Sequence, residues 1–356
     1  TIRVNESTAS VSVVDRKEIA AAAAVGASQI LREMPGLQEL PSPPSKTTIS
    51  IRGLDAARVL VLVDGEPVAG ALIDTRDIGR LSTVAAERIE VTKGPSSVEF
   101  GSDALGGVIN LVTAAPSKKF AADAIARVGG LGRRESSFNI SNTTGALGYR
   151  LSGGWRQVDR LMAVDAEGSS LDRVYDLRSD VRYRASDALM LRGDVQLSQE
   201  RQRYPVGGGY NGFIDNHAAQ VLTEAKLLKL GGVVRARVFG QYSGYQFRQS
   251  ARSVPIAGSA DSLVQEERLG RAMLAYTRAA GSHMLDAGAQ FSARSIIAPQ
   301  KIAGNRASDQ VVEFFARDAW TRGPVLVTAG ARSTSSSLWG SALTPSLGAA
   351  WQVSQA

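Results

Sequence analysis

No cysteine occurs among the 356 residues, and histidine occurs only twice, at His217 and His283. A disulfide scaffold, a Cys-ligated zinc or iron–sulfur site and a thiol nucleophile are therefore excluded, and a His-rich metal centre has too few ligands. No apolar run approaches the roughly 18 residues that a membrane helix needs. The longest, from Ile19 to Ala27, is short and mostly alanine, so a helical membrane protein is excluded. Thr1 opens the chain without a Met, a basic stretch or an apolar leader, and a processed or cropped product is expected.

Net charge is +7 and mean hydropathy is -0.07. The excess is local: residues 1–117 hold 11 basic and 14 acidic groups, residues 118–356 hold 30 and 20. In the second part the basic residues are spread at alternate positions along many short segments. A phosphate-binding stripe has no need of that spacing, so no nucleic-acid partner is expected.

Up to about Ser117 the sequence has the grammar of a mixed α and β domain. Asp15-Arg16-Lys17-Glu18 has capping-box spacing, which predicts a short helix. Ile30, Leu31 and Met34 share one helical face, and Pro35-Gly36 ends that second helix. Strands are predicted over Thr47–Arg52, Val59–Val63 (ended by Asp64-Gly65), Arg88–Lys93 and Val108–Thr113.

From about Phe120 onward the period is 2. Tyr149, Leu151 and Trp155 alternate with Arg150, Ser152 and Arg156, and Tyr175, Leu177, Val181 and Tyr183 alternate with Asp176, Arg178, Asp180, Arg182 and Arg184. Leu189, Leu191, Val195 and Leu197 face away from Arg192, Asp194 and Gln196 in the same manner. About twelve such segments follow one another, over 120–129, 135–144, 148–158, 174–185, 189–200, 218–229, 233–248, 263–279, 283–296, 310–321, 325–334 and 341–352. Many are 10–14 residues or more, against about 5–6 for a soluble strand. Length thus argues against a soluble sandwich.

Connections alternate too. They are brief near Gly145, Ser186-Asp187, Gly231-Gly232, Ala280-Gly281 and Gly323-Pro324, and long near 159–173, 201–217, 249–262 and 297–309. An apolar outside over a polar lumen, with short turns at one end and long loops at the other, is the pattern of an outer-membrane β-barrel. Trp155, Trp320, Trp351 and Tyr183 suit its interfacial aromatic girdles.

Ordered motifs in the first region are more specific. Ile49-Ser50-Ile51-Arg52-Gly53-Leu54, then Val59–Gly65, then the run from Glu87 through Thr92-Lys93-Gly94-Pro95 and Gly101-Ser102-Asp103-Ala104-Leu105-Gly106-Gly107 to Asn110 closely resemble the plug domain of TonB-dependent outer-membrane receptors. Val13-Val14-Asp15, Ile30-Leu31 and Pro35-Gly36 fit the opening of that domain, so the resemblance runs over about residues 11–115. Gly101–Gly107 is not followed by Gly-Lys-Ser/Thr and lacks the Gly-x-Gly-x-x-Gly spacing, which argues against a phosphate-binding loop. Leu343–Trp351 looks like a mid-barrel strand of the same receptors.

The resemblance implies an α+β plug domain over residues 1–117 and antiparallel transmembrane barrel strands over 118–356, about 12 of an expected 22 strands. At about 20 residues per strand the full class needs roughly 440 barrel residues, so a partial barrel is expected. It also implies active uptake of a scarce ligand across the outer membrane of a Gram-negative bacterium, by a monomer driven by a TonB-type energy-coupling protein. An iron–siderophore complex is the first expectation for the cargo, cobalamin the second. No enzyme chemistry and no cofactor is implied; a passive channel or adhesin barrel and a soluble all-β binding protein are the alternatives.

Ligand contacts are expected at the plug apex, over Pro41–Lys46 and Glu66–Asp77, with Pro41, Ser42, Ser45, Lys46, Glu66, Asp74 and Arg76 as candidates. Arg52, Glu87, Arg88 and Glu90 are candidates for ion pairs between plug and barrel. Thr1-Ile2-Arg3-Val4 is a candidate for the extended coupling segment that adds a strand to the partner's sheet. Asp159, Asp165, Glu167 and Asp172 have the oxygen ligands that Ca²⁺ prefers, but a solvated acidic loop is the better reading of them.

Overall fold

The computed structural model describes residues 10–22, 26–42, 46–54, 56–68, 78, 81–94, 104–130, 132–161, 169–206, 210–251 and 261–351. Strand β1 (Ser10–Asp15) leads into helix α1 (Arg16–Ala21), which is capped as expected. Asp15 Oδ1 accepts from the backbone N–H of Lys17 and Glu18 at 2.8 and 2.9 Å, and Glu18 Oε2 accepts from the N–H of Asp15 at 2.8 Å. Helix α2 (Ala27–Leu31) buries Ala27, Ile30 and Leu31. Gly36, at φ +79°, turns the chain beyond it.

The hairpin β2 (Leu37–Ser42) and β3 (Lys46–Ile51) follows, then β4 (Val59–Val63), β5 (Glu66–Pro67), β6 (Ala86–Lys93) and β7 (Gly107–Thr113). A five-stranded sheet has the order β1-β6-β7-β4-β5, with β4 and β7 parallel and the other pairs antiparallel. Every residue of β4 is buried, which explains its unbroken apolar run: a strand covered on both faces has no polar side to show. One core cluster joins α1, α2, β3 and this sheet through Ile19, Leu31, Ile51, Val61, Ile89 and Ile109. Gly107 permits that packing, since at φ +146° a Cβ would run into the Thr92 carbonyl and Ile51 Cδ1.

Twelve antiparallel strands then follow in chain order: β8 (Ala121–Val128), β9 (Arg134–Thr144), β10 (Leu147–Leu161), β11 (Ser169–Arg184), β12 (Leu189–Val206), β13 (Tyr210–Lys229), β14 (Gly232–Ala251), β15 (Asp261–Ala280), β16 (His283–Ile297), β17 (Arg306–Arg322), β18 (Val325–Ser336) and β19 (Gly340–Trp351). Each pairs with its sequence neighbours, and β8 and β19 are the two ends of the sheet order. No helix of the described residues is long and apolar enough to cross a membrane.

All twelve expected segments are strands. At the short-turn end their limits agree closely, whereas at the other end most run further: β12 reaches Val206 and β13 begins at Tyr210. Much of 159–173 and 201–217, expected as long connections, is therefore ladder. Inter-strand hydrogen bonds continue wherever a neighbour lies alongside, and they do not require the apolar alternation by which the segments were recognised.

Burial is inverted relative to a soluble sheet. Tyr149, Leu151, Leu177, Val195 and Val221 are exposed, while Arg150, Arg178, Asp180, Asp194 and Glu224 are buried. Apolar side chains cover the outer face, and the charged face receives the five-stranded unit. Tyr183, Trp320 and Trp351 lie near the short-turn end, as a girdle there requires, whereas Trp155, expected near a strand end, sits in the middle of β10.

Candidate functional site

The junction between the small sheet and the wall is built around one tight turn. Asp64 and Gly65 both have positive φ, 53° and 84°, and Val63 pairs with Glu66 across them. Positive φ at both central positions is what a two-residue primed hairpin requires, and Asp-Gly supplies it at low cost. A Cβ on Gly65 would lie 3.2 Å from Arg237 Nη1, so the turn sits tightly against a wall side chain.

Asp64 Oδ1 accepts from the Thr113 N–H at 2.8 Å, and Oδ2 accepts from Thr113 Oγ1 at 2.7 Å. Oδ2 also takes Nη2 of Arg178 at 2.6 Å and of Arg192 at 2.8 Å. On the wall, Arg182 faces Arg192 and Asp180 faces Asp194 directly across the β11–β12 ladder. Like charges so placed repel. The repulsion is resolved by diagonal pairing: Arg178 Nε donates to Asp194 at 2.9 Å and Arg192 Nε to Asp180 at 2.6 Å. With Asp64 inserted, the cluster holds three carboxylates and three guanidiniums.

Glu66 makes a second contact. Its Oε1 is 3.1 Å from Arg237 Nη1 and its Oε2 is 3.1 Å from Arg271 Nη1, and Arg237 Nη2 also holds Glu224 at 2.6 Å. Arg237 Nη1 donates to the Asp64 carbonyl at 3.1 Å, which links the two clusters. Where the chain leaves the small sheet, Arg150 Nη2 donates to the Ala115 carbonyl at 2.7 Å and the Ser117 N–H donates to Ser141 Oγ at 2.7 Å.

Burial pushes the Asp64 carboxyl up, but the guanidiniums of Arg178 and Arg192 and the Thr113 N–H outweigh it, holding the group well below the usual carboxylate range. The carboxylate stays ionised and the contact remains an ion pair. Buried pairs contribute little net stability against an apolar alternative, yet removing one partner costs about 3–5 kcal/mol because a charge is left uncompensated. Such a junction registers one body on another and resists partial release.

Beside it, a cavity of about 470 Å³ separates the small sheet from the wall, with Leu60, Glu90 and Asn110 on one side and Arg235, Glu313 and Arg332 on the other. It reaches Asp309 and Trp339 at the end opposite the short turns, where Trp339 Nε1 donates to Asp309 Oδ2 at 3.2 Å. Among the described residues no group of three or more His, Asp or Glu side chains is placed to hold a metal ion.

The expected site residues fall into separate places. Glu66 is not open at an apex but buried against Arg237 and Arg271. Arg88 Nε pairs with Glu90 Oε1 at 2.7 Å, and Asn110 Nδ2 donates to Glu90 Oε2 at 3.2 Å, so these two charges pair with each other within the small sheet. Glu87 is exposed on β6. Arg52 sits in the turn after β3 at φ 51°, its N–H donating to the Gly36 carbonyl at 2.9 Å. Pro41, Ser42 and Lys46 belong to the β2–β3 hairpin, with side chains outside the description. Ser45, Asp74, Arg76 and Thr1, Ile2, Arg3 and Val4 lie outside the described residues, as do Asp165 and Glu167.

Sequence reasoning did not single out Asp64, Arg178, Arg192, Arg237 and Arg271 as a junction. The signal available was an acidic residue in a turn that follows a fully apolar strand, together with arginines on the face opposite the apolar one.

Residues 3–108 match the family model described as the TonB-dependent Receptor Plug Domain. The chain is 30% identical over 142 residues to the vitamin B12 transporter BtuB of Photobacterium profundum, a match covering 40% of this chain and 23% of that protein. It is 29% identical over 248 residues to the BtuB of Vibrio vulnificus strain YJ016, covering 60% and 38%. Its fold is similar to that of the siderophore receptor PirA of Pseudomonas aeruginosa, with TM-score 0.76 at 20% identity, over 97% of this chain and 59% of that one. A variant of the ferric enterobactin receptor PfeA of the same organism gives TM-score 0.78 at 18% identity, over 100% and 62%. The chain therefore spans less than two thirds of the length of each of these proteins. Residues 3–108 thus match a TonB-dependent receptor plug domain, held by buried ion pairs on an antiparallel wall with the fold of receptor barrels.

Proposed function

We propose that this chain serves energised uptake of a scarce metal chelate across the outer membrane of a Gram-negative bacterium. Residues 1–117 act as the plug and residues 118–356 as barrel wall. The carrying observation is the junction at Asp64 and Glu66: a family plug held on the polar face of the wall by buried, ionised contacts. A passive pore has no use for an inserted domain that must be displaced before anything passes. A TonB-type coupling protein in the periplasm supplies the pull, through a segment at or before Thr1–Val4, and the receptor works as a monomer. Pro41, Ser42, Ser45, Lys46, Asp74 and Arg76 contact the ligand at the apex. Glu66, Arg237 and Arg271 belong to the junction instead, and Arg52 and Glu87 remain candidates for contacts with the wall.

Two cargo classes compete. The names of the sequence relatives support a corrinoid; an iron–siderophore complex is supported by the general frequency of such cargo in the family. Labelled cobalamin and a labelled ferric siderophore are offered to cells carrying the receptor, with and without the coupling protein. Accumulation of one cargo is expected only where the coupling protein is present, with surface binding retained in its absence. Accumulation that persists unchanged in the deletion strain would establish the passive-channel alternative.

A further inference from the structure

The hydrogen bonds and ion pairs that tie the small sheet to the wall come from neighbouring strands. Ser141 on β9 and Arg150 on β10 hold the chain where it leaves the sheet, Arg178 and Arg192 on β11 and β12 hold Asp64, and Arg237 and Arg271 on β14 and β15 hold Glu66. On β13, Gln220 Nε2 donates to the Pro67 carbonyl at 3.4 Å. The row that contains Arg192, Glu224 and Arg237 continues in register through Met273 on β15 to Gln290, Glu313 and Thr334 on β16, β17 and β18. The adjacent row continues from Arg271 to Ser292 and Val311, two short side chains.

Along this second half the wall pairs with itself. Glu313 accepts from Gln290 Nε2 at 2.6 Å and from Thr334 Oγ1 at 3.3 Å and pairs with Arg332 Nη1 at 3.1 Å, and Asp286 accepts from Thr277 Oγ1 at 2.7 Å. The facing part of the plug does likewise, with Glu90 held by Arg88 and Asn110. Between these two faces lies the cavity of about 470 Å³, with Gln290, Ser292, Glu313 and Thr334 across from Leu60 and Glu90. Moving the plug away from β16, β17 and β18 breaks none of these bonds, because each lies within one body. Moving it away from β11, β12, β14 and β15 leaves buried charges without their partners, which is far more costly.

We propose that the cargo passes between plug and wall along β16, β17 and β18, while the contacts at Asp64 and Glu66 stay closed and act as the hinge. The pull tilts the plug about this junction and widens the cavity already present; the domain does not leave the lumen as a whole. Because the cavity reaches Asp309 and Trp339 at the end away from the short turns, the widened gap meets cargo arriving from outside. Gln290, Ser292 and Thr334 are uncharged and Glu313 is matched by Arg332. The lining they form offers hydrogen bonds with little net field, which suits a bulky polar chelate of either charge. This rests on the reading of energised uptake above.

The test uses the whole receptor in cells, offered labelled cobalamin and a labelled ferric siderophore. This chain contains no cysteine, so a single introduced thiol reports its own position, with the parent receptor as the blank. Ser292→Cys and Thr334→Cys lie on the cavity side. Ser152→Cys, on β10, is buried where a gap of only about 20 Å³ separates Leu81 and Ser82 from Arg178. A dye-bearing maleimide is added from outside, and heat-modifiable mobility confirms that each variant is folded. With cargo and coupling protein both present, the two cavity-side thiols should label at least about tenfold faster than in the strain lacking the coupling protein, since local opening governs access to a packed interface. Ser152→Cys should keep its resting rate. Once labelled, Ser292→Cys should lose uptake while surface binding is retained. Equal acceleration at all three positions would mean that the plug leaves the wall as a whole and overturns the proposal. Acceleration at Ser152→Cys alone, or at none of the three in cells that accumulate cargo, overturns it too. Cargo accumulation that is unchanged without the coupling protein defeats the uptake reading itself, whatever the thiols do.

Discussion

Asp64 Oδ2 and Arg178 Nη2 meet at 2.6 Å across 114 residues of sequence. One belongs to a two-residue turn of the plug, the other to the buried face of a barrel strand. Because Arg192 converges on the same oxygen, this carboxylate is the pivot of the junction.

Asp64→Asn should loosen the plug, leaving Arg178 and Arg192 buried without their shared anion at a cost of about 3–5 kcal/mol. Limited proteolysis should cut the β4–β5 region faster than in wild type. Adding Arg192→Gln to Asp64→Asn should cost clearly less than the two single changes summed, since residues of one network are not additive. Additive losses would mean that the contact contributes nothing to docking.

Acid should act on the junction only late. A carboxyl held low in the docked state contributes stability that is complete above its ordinary value of about 4 and lost as pH falls through its lowered one. Docking, read from urea midpoints of the plug, should be flat with respect to Asp64 from pH 7 to about 5 and decline only in stronger acid. In Asp64→Asn that acid-dependent component should shrink. An equal decline in both proteins would assign it to other carboxylates.

Charge reversal at the second contact should be worse than neutralisation. Glu66→Gln removes the anion between Arg237 and Arg271, whereas Glu66→Lys adds a third cation there. The lysine variant should yield less folded protein and release the plug at lower denaturant than the glutamine variant. Equal behaviour would indicate that Glu66 is hydrated rather than paired.

Two glycines with positive φ separate backbone strain from steric exclusion. Gly53→Ala meets open space and should cost about 1–2 kcal/mol from its left-handed backbone alone. Gly107→Ala meets the same strain and also the Thr92 carbonyl and Ile51, so its denaturation midpoint should fall further. Equal midpoints would show that β6 and β7 can part freely.

On the outer face, Val221 is 47% exposed within the apolar band. Val221→Arg should cost about 2–4 kcal/mol in lipid if it lies at mid-depth. Refolding yield into neutral vesicles measures it, with Thr223→Ser on the same face as the control. An unaffected yield would remove Val221 from the lipid-facing band.

Much of the fold was legible because a half-buried strand leaves a period of two, and twelve such periods survive whatever surrounds them. The Asp15 capping box was equally local. Strand β1 was missed as an element although Val11 and Val13 alternate with Ser10 and Ser12, because a six-residue alternation is too short to stand out without its partner β6. Beyond the apolar rows, β12 and β13 lose the alternation while their ladders continue, so their far ends look like connections in the sequence.

The candidate site was far less legible. That Arg178, Asp180, Arg192 and Asp194 face a lumen follows from alternation, and that Asp64 ends a strand follows from the glycine after it. The sequence by itself determined the elements, their order and the sign of each face, because these depend on local propensity and on the separation of apolar from charged side chains. Only the tertiary structure decided that Asp64 and Glu66 meet the wall while Arg88 and Glu90 pair with each other. Every one of these charges can find several partners at similar cost, and the choice among them depends on the depth and rotation at which the plug packs, which no local pattern encodes.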